Sequence, residues 1–433
     1  MICNNLSVSE NGHLLFANQD TSKLAKQYET PLYLLDEDRI RANCKMYLKA
    51  FTDNFGKESL PVYASKACAI PAIYKIISSE GLGTDLVSSG EIFTAYESGF
   101  DMSKSFFHGN VKTDADIAFA MDCNTGYFVV DNREELLAVS KEAGKRGIIQ
   151  KILLRLTPGI DPHTYEAIST GKVDSKFGFP IETGAAEEIL TQALKLKNIE
   201  ISGYHCHVGS MVFYEDVYER TADVMLGFSA QMKEKLEYYP EILDLGGGYG
   251  VRYTDDDPIV NIPAKIAALA VHIKNKCSEL NIPLPRIIME PGRSIVADAG
   301  LTLYTVGSIK TIPGYKNYVA IDGGMTDNPR YALYEAKYTC LAAEKMNEET
   351  SFICDLVGRC CESGDIIQPK IKLPESIKRG DIIAVCTTGA YNYSMASNYN
   401  RIPKPPVIML SQGKSRVAVK RETYKDLIKC EIF

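Results

Sequence analysis

Short, nearly continuous apolar runs recur along the first two-thirds of the chain, each followed by a stretch with apolar residues at helical spacing. The runs are PVYASKA (61–67), GTDLVSS (83–89), SFFHGN (105–110), GYFVVD (126–131), KILLRLTP (151–158), ISGYHCHVG (201–209), ILDLGGG (242–248) and RIIMEP (286–291). Between them lie segments such as IYKIISSEGL, EELLAVSKEAGKRG and AAEEILTQALKLK, whose apolar positions follow a helical period. Strands that are apolar throughout, rather than alternately, are buried on both faces, as in a parallel sheet covered by helices. Eight such strands match the count of a (β/α)8 barrel, although a doubly wound open sheet gives a similar pattern. The polar residues favour the barrel. Lys66, Ser88, His108, Asp131, Arg155, His207, Gly246–Gly248 and Glu290 stand at the C-terminal ends of the runs, the end at which barrels build their active sites.

After about residue 300 the texture changes. LTLYTVGSIK, KNYVAID, SFICDLVG, DIIAVCTTG, PPVIMLSQG and KSRVAVKRE are short β-like runs separated by turn residues and predict a second, mainly β domain. The first barrel strand begins only near Pro61, so the earlier HLLFANQD and TPLYLLD are expected to join that domain. The predicted organisation is a barrel over 40–300 and a discontinuous β domain from 1–39 and 301–433.

Composition narrows the function classes. A chain of 433 residues, 45% hydrophobic and 24% charged, is that of a globular protein of more than one domain. A net charge of -7 argues against nucleic-acid or anionic-membrane binding, which needs a basic face. No apolar stretch is long enough for a membrane span and no secretory signal is visible, so a cytoplasmic location is expected. The twelve cysteines are scattered without a CxxC pair, and read as mostly reduced, buried thiols.

Four segments carry candidate chemistry. Lys66 in YASKA ends an apolar strand; alone it reads first as a snorkelling surface residue, and otherwise as a buried amine able to form a Schiff base. LDLGGGYGVRY (243–253) sets a glycine cluster directly after a strand, where backbone N–H groups can approach a phosphate. A dinucleotide fingerprint would open a helix there; Pro258 and three aspartates disfavour one, and a monophosphate cradle is the better reading. IIMEPGRS (287–294) ends the eighth strand with Glu290, Pro291, Gly292 and Arg293, and loops after strands seven and eight are the usual phosphate site of a barrel. His205 and His207 lie two apart on a strand and share a face, but no second ligand cluster accompanies them. No metal is expected; one histidine stacked on a cofactor ring is the better reading.

Together YASKA, HxHVGS, the GGG turn, EPGR, DGGMTDNPRYALY, GRCCESGD and GAYNYSMASNYN resemble the diaminopimelate decarboxylases, over residues 30 to 410 and in family order. These are fold-type III pyridoxal 5′-phosphate (PLP) enzymes, similar in architecture to alanine racemase and ornithine decarboxylase. The resemblance implies that Lys66 carries PLP as a Schiff base, that His207 stacks on the ring, and that Glu290 keeps the ring nitrogen protonated. It implies that Gly246, Gly247, Gly248, Ser210, Gly292 and Tyr391 hold the phosphate, with Pro291 and Arg293 in the same loop and Asp85 and Arg155 in support. A carboxylate at 290 maintains the electron sink and favours decarboxylation over racemisation. Cys361 aligns with the family's proton donor, contributed across a homodimer interface, and its neighbour Cys360 is read as a packing residue.

Substrate choice rests on Arg293 and Arg330 as cationic forks for carboxylates, Tyr334 and Tyr391 as hydroxyl donors, and Glu362 for a distal ammonium. A diamino dicarboxylate fits this set. The implied reaction converts meso-2,6-diaminopimelate to L-lysine and CO2, at the D-configured centre, as the last step of lysine biosynthesis. Related decarboxylases of D-ornithine, D-lysine, arginine or carboxynorspermidine are the alternative, followed by a catalytically dead homologue and a racemase. The chain departs from the family pattern at YGVRY, at RIPKPPVIM and at Arg359, where proline is common; none of these removes a named catalytic group.

Overall fold

A computed structural model describes residues 1–161, 174–214 and 216–432. The chain divides into two compact units: Asn43–Gly250 with Val260–Ser294, and Met1–Ala42 with Val251–Ile259 and Ile295–Phe433.

The first of these is a closed barrel. Its strands are β1 (Leu60–Ala64), β2 (Gly83–Leu86), β3 (Ser105–Phe107), β4 (Tyr127–Val130), β5 (Gln150–Thr157), β6 (Ile199–His205), β7 (Ile242–Asp244) and β8 (Arg286–Met289). All pair in parallel in chain order, and Ile288 of β8 lies opposite Leu60 of β1 to close the ring. Each strand coincides with one of the eight apolar runs. The interior is sealed by Val62, Phe106, Val129, Leu153, Ile242 and Ile288, side chains from six different strands. Gly203 lets β6 press against β7; a Cβ there would sit 2.0 Å from the Ile242 carbonyl oxygen.

Side-chain caps start the helices close to the strand ends. Ser88, Thr113 and Asn132 accept from the backbone N–H groups of Glu91, Asp116 and Glu135, opening helices Ser89–Glu97, Asp114–Asp122 and Arg133–Arg146. The connections after β2, β3 and β4 are therefore short, and the residues they carry are held close to the barrel mouth.

The second unit is built on the long strand Gly300–Ile312, which pairs antiparallel with Lys316–Ile321, Ile382–Cys386 and Leu32–Asp36. Leu32–Asp36 pairs in turn with Val407–Ser411 in parallel, so the TPLYLLD strand is an interior member of this sheet. Leu14 and Phe16 share an apolar core with Leu34, Leu301, Leu303 and Ile408.

The outer boundaries shift slightly, 40–42 and 295–300 joining the β unit, and one internal segment departs further. Val251–Ile259, read from sequence as part of the barrel, belongs to the β unit. The Tyr253 carbonyl accepts from the Thr339 backbone N–H (3.2 Å) and hydroxyl (2.9 Å), and its ring packs edge-on against Tyr338. All twelve cysteines are free thiols, and all but Cys361 and Cys430 are buried. No described helix is long and apolar enough to cross a membrane.

Candidate active site

Lys66 sits on a single 3-10 turn, Ser65–Ala67, immediately after β1. Its Nζ donates to Asp85 Oδ2 of β2 at 3.2 Å. The Lys66 side chain is 39% exposed while that of Asp85 is fully buried. Lys66 is neither fully exposed nor fully buried, and its amine is anchored by the adjoining carboxylate of Asp85. Beside it, the Ser65 hydroxyl donates to Glu91 at 2.7 Å, fixing the turn from the other side.

Three strand ends converge on Glu290, which follows β8. His108 Nε2, beyond β3, stands 2.7 Å from Oε1, and His205 Nε2, ending β6, stands 3.4 Å from Oε2. Burial pushes the Glu290 carboxyl up, but the two imidazoles overcome it and hold the group ionised, well below the usual carboxylate range. Burial drives the His205 pKa down to about 3, so its ring is neutral and meets Glu290 through Nε2–H. Asp244, at the end of β7, moves the opposite way: burial and then the Glu290 charge push it well above the usual range. The opposite shifts favour the negative charge on Glu290 over Asp244. The ligand atoms of His108, His205 and Glu290 lie within 4.8 Å of one another, a proximity that follows from the two imidazole contacts with Glu290.

Sequence reasoning missed the roles of His108, His205 and Asp244 around Glu290. The signal available was position: all three close an apolar run at the same end of the barrel. His207 has different partners from His205. It is half-buried, its Nδ1 accepts from the Gly247 N–H at 3.3 Å, and burial with the nearby Lys66 charge keeps it neutral.

The glycine turn is a place of close approach. A Cβ on Gly247 would lie 1.9 Å from the Glu290 carbonyl oxygen, and one on Gly248 would lie 2.1 Å from that of Gly209. Two of the three glycine N–H groups have protein partners. Gly246 N–H donates to Asp244 Oδ1 (2.9 Å) and Gly247 N–H to His207. No bond among the described residues uses the Gly248 N–H, which leaves it as the one donor of the turn for an anion.

Arg293 and Ser210, predicted from separate motifs, meet: Arg293 Nη2 and Nε lie 3.0 and 3.3 Å from Ser210 Oγ. The loop before Arg293 is stitched to β1, because Ala64 N–H donates to the Pro291 carbonyl (3.1 Å) and a Cβ on Gly292 would lie 2.8 Å from that of Ala64. Arg155, buried at the end of β5, faces Asp131 at 3.7 Å and stacks over Phe177 at 4.4 Å.

The remaining predicted residues lie in the β unit. Arg330 opens the helix Arg330–Tyr334, and Tyr334 closes it. Arg330 is 6% exposed, and its Nη1 donates to the hydroxyls of Tyr253 (3.1 Å) and Tyr338 (2.8 Å). No carboxylate among the described residues pairs with it. Tyr391 is held in the left-handed region at φ 60°, a conformation that a tyrosine keeps only when its surroundings impose it. The vicinal cysteines differ. Cys360 is buried, and burial together with Asp365 pushes its thiol up to about 11. Cys361 is exposed, its backbone N–H donating to Asn400 Oδ1 at 2.7 Å. Glu362, also exposed, accepts from the Gly364 N–H at 3.2 Å.

A parallel barrel with a lysine, an ionised carboxylate and a glycine turn at the C-terminal ends of its strands has counterparts among known proteins. Residues 37–297 match the family described as pyridoxal-dependent decarboxylase, pyridoxal binding domain. The chain belongs to the pyridoxal-dependent decarboxylases. It is 41% identical over 424 residues to the diaminopimelate decarboxylase of Bacillus subtilis (strain 168), covering 98% of this chain and 96% of that one. The crystal structure of diaminopimelate decarboxylase from M. jannaschii in complex with L-lysine superposes with a TM-score of 0.92 at 32% identity, covering 100% of this chain and 99% of that one. The enzyme of that name from Helicobacter pylori, also with L-lysine, gives 0.86 at 33% identity over 95% and 99% of the two chains. Within the class, the chain falls among the diaminopimelate decarboxylases.

Proposed function

We propose that this chain uses PLP to decarboxylate meso-2,6-diaminopimelate to L-lysine and CO2, the last step of lysine biosynthesis. The residues of the barrel fit the cofactor. Asp85 Oδ1, Asp244 Oδ2 and His205 Nδ1 are buried atoms without a hydrogen bond among the described residues, all at the C-terminal ends of the strands. An amine, an ionised carboxylate, and an N–H next to an arginine match the aldehyde, ring nitrogen and phosphate of PLP. When bound, PLP supplies a conjugated ring that accepts the electron pair left behind as CO2 departs.

The chain's own groups then have separable tasks. Lys66 provides the amine that holds the cofactor, and Asp85 orients that amine. Glu290, kept ionised by His108 and His205, holds a proton on the ring nitrogen. His207, neutral, offers a flat face to the ring. Gly248, Ser210, Arg293 and Tyr391 bind the phosphate, with Gly246, Gly247, Pro291 and Gly292 shaping the turns and Arg155 in support. Arg330 and Tyr334, with Arg293, bind carboxylate, Glu362 binds the distal ammonium, and Cys361 returns a proton to the substrate carbon. Cys361 and Glu362 are exposed in the single chain, which suits delivery to a second copy in a homodimer. Free thiols throughout suit a reducing, cytoplasmic setting.

The observation that carries the substrate assignment is Arg330, a buried guanidinium without an anionic partner among the described residues. Burying an unpaired cation is costly, and a substrate carboxylate would repay that cost. The test is CO2 release from meso-diaminopimelate set against lysine, ornithine, arginine and carboxynorspermidine, with Cys361→Ala as control. Diaminopimelate is expected to be fastest by at least an order of magnitude, and Cys361→Ala to slow its conversion. Faster turnover of a substrate with no distal carboxylate would remove the assignment.

A further inference from the structure

Arg330 is not simply buried; it is gripped. Its Nη1 is bonded by two phenols, Tyr253 at 3.1 Å and Tyr338 at 2.8 Å. The guanidinium carbon also lies 5.2 and 5.7 Å from the centroids of the same two rings, so each tyrosine holds the cation by its hydroxyl and by its π face. The rings meet edge-on, with centroids 5.4 Å apart and planes at 85°.

The grip is itself fixed. The Tyr253 carbonyl is bonded by both the backbone N–H and the hydroxyl of Thr339. The Tyr338 backbone N–H donates to Gln368 Oε1 at 2.8 Å, and its hydroxyl reaches the buried side-chain amide of Asn392 at 3.3 Å. Tyr253 and Tyr338 are 4% and 3% exposed, which leaves neither ring room to turn away.

Two consequences follow from the chemistry of the grip. A guanidinium carries five N–H donors in a plane. The two phenols engage Nη1, and no bond among the described residues uses Nη2 or Nε, so one edge of the fork keeps its donors. Phenols also hold a cation without neutralising it, whereas an aspartate or glutamate in either place would cancel the charge a carboxylate ligand needs. We propose that Tyr253 and Tyr338 are positioning residues that hold Arg330 as a charged, pre-oriented fork and thereby set the selectivity for a substrate with a distal carboxylate. This rests on the assignment of Arg330 to that carboxylate.

The test uses the holoenzyme and a pair of ligands that differ by one group. L-lysine, the product, keeps the distal carboxylate; cadaverine is lysine without it. In Tyr338→Phe and Tyr253→Phe, each of which removes a hydroxyl and keeps the ring, the KM for meso-diaminopimelate and the Ki for L-lysine are expected to rise together by about tenfold. The kcat should stay within about twofold and the Ki for cadaverine should not change. Equal weakening of lysine and cadaverine in both variants would mean a merely structural role and would overturn the proposal. Arg330→Gln separates this from failure of the underlying assignment. If Arg330→Gln abolishes the preference for lysine over cadaverine and neither tyrosine variant alters it, the assignment stands and the positioning role is wrong. If Arg330→Gln leaves the preference intact, both fall.

Discussion

Lys66 Nζ and Asp85 Oδ2 are 3.2 Å apart, a half-exposed amine held by a fully buried carboxylate. The two residues come from the ends of adjacent strands, β1 and β2, so their separation is set by backbone pairing (Ala64 lies opposite Asp85) and not by a flexible loop. The Asp85→Asn variant keeps the shape and removes the charge. A charge-assisted hydrogen bond is lost, worth about 1.5–3 kcal/mol, and kcat/KM for decarboxylation should fall by roughly 10- to 100-fold. Steady-state kinetics on the PLP-loaded variant checks this; activity within twofold of the parent would show that Asp85 does not orient the amine.

His205 predicts an acid-dependent loss of stability. Its pKa drops from 6.5 to about 3 on folding, so between those values only the unfolded chain binds the proton. Unfolding then takes up a proton, and stability falls as pH is lowered through 6.5 towards 3. At pH 5 the loss from this group is about 2 kcal/mol. Asp244 acts in the opposite sense: its raised pKa contributes stability at low pH that is lost as pH climbs through the folded value. The His205→Gln variant should therefore flatten the rise of Tm between pH 5 and 6.5 while leaving the Asp244 contribution in place. An unchanged slope would mean that His205 is protonated in the folded barrel.

The eight strands were legible because burial on both faces leaves continuous apolar runs, and the chemistry was legible because it gathers at the ends of those runs. What stayed hidden depends on ring closure. Nothing in the local sequence says that His108 after β3, His205 on β6 and Glu290 after β8 meet, nor that the Glu290 charge pushes Asp244 upward. The glycine turn was legible as a turn, yet two of its N–H groups serve Asp244 and His207. Val251–Ile259 reads as loop because of its aspartates and Pro258; its place in the β unit follows from Tyr253 packing on residues some eighty positions further along.

A second feature invisible to sequence is the buried pair Lys112–Glu135, at 2.8 Å. Lys112 also donates to the carbonyls of Gly109 (3.0 Å) and Val129 (2.8 Å), tying the segment after β3, which carries His108, to the end of β4. Lys112→Met leaves Glu135 buried without its partner and should cost about 3–5 kcal/mol. Replacing both residues, as Lys112→Met with Glu135→Leu, should recover at least half of that loss. Urea unfolding of the two variants decides it: a single variant less than about 1 kcal/mol below the parent would show that the pair does little for the barrel.

The most direct test of the account is the site of cofactor attachment. Holoenzyme loaded with PLP is reduced with borohydride, digested, and the labelled peptide identified by mass spectrometry. The pyridoxyl group is expected on Lys66 at about one per chain, and to be absent from Lys66→Ala. Label on another lysine, or none on the loaded parent enzyme, would contradict the assignment of Lys66 and the roles built around it.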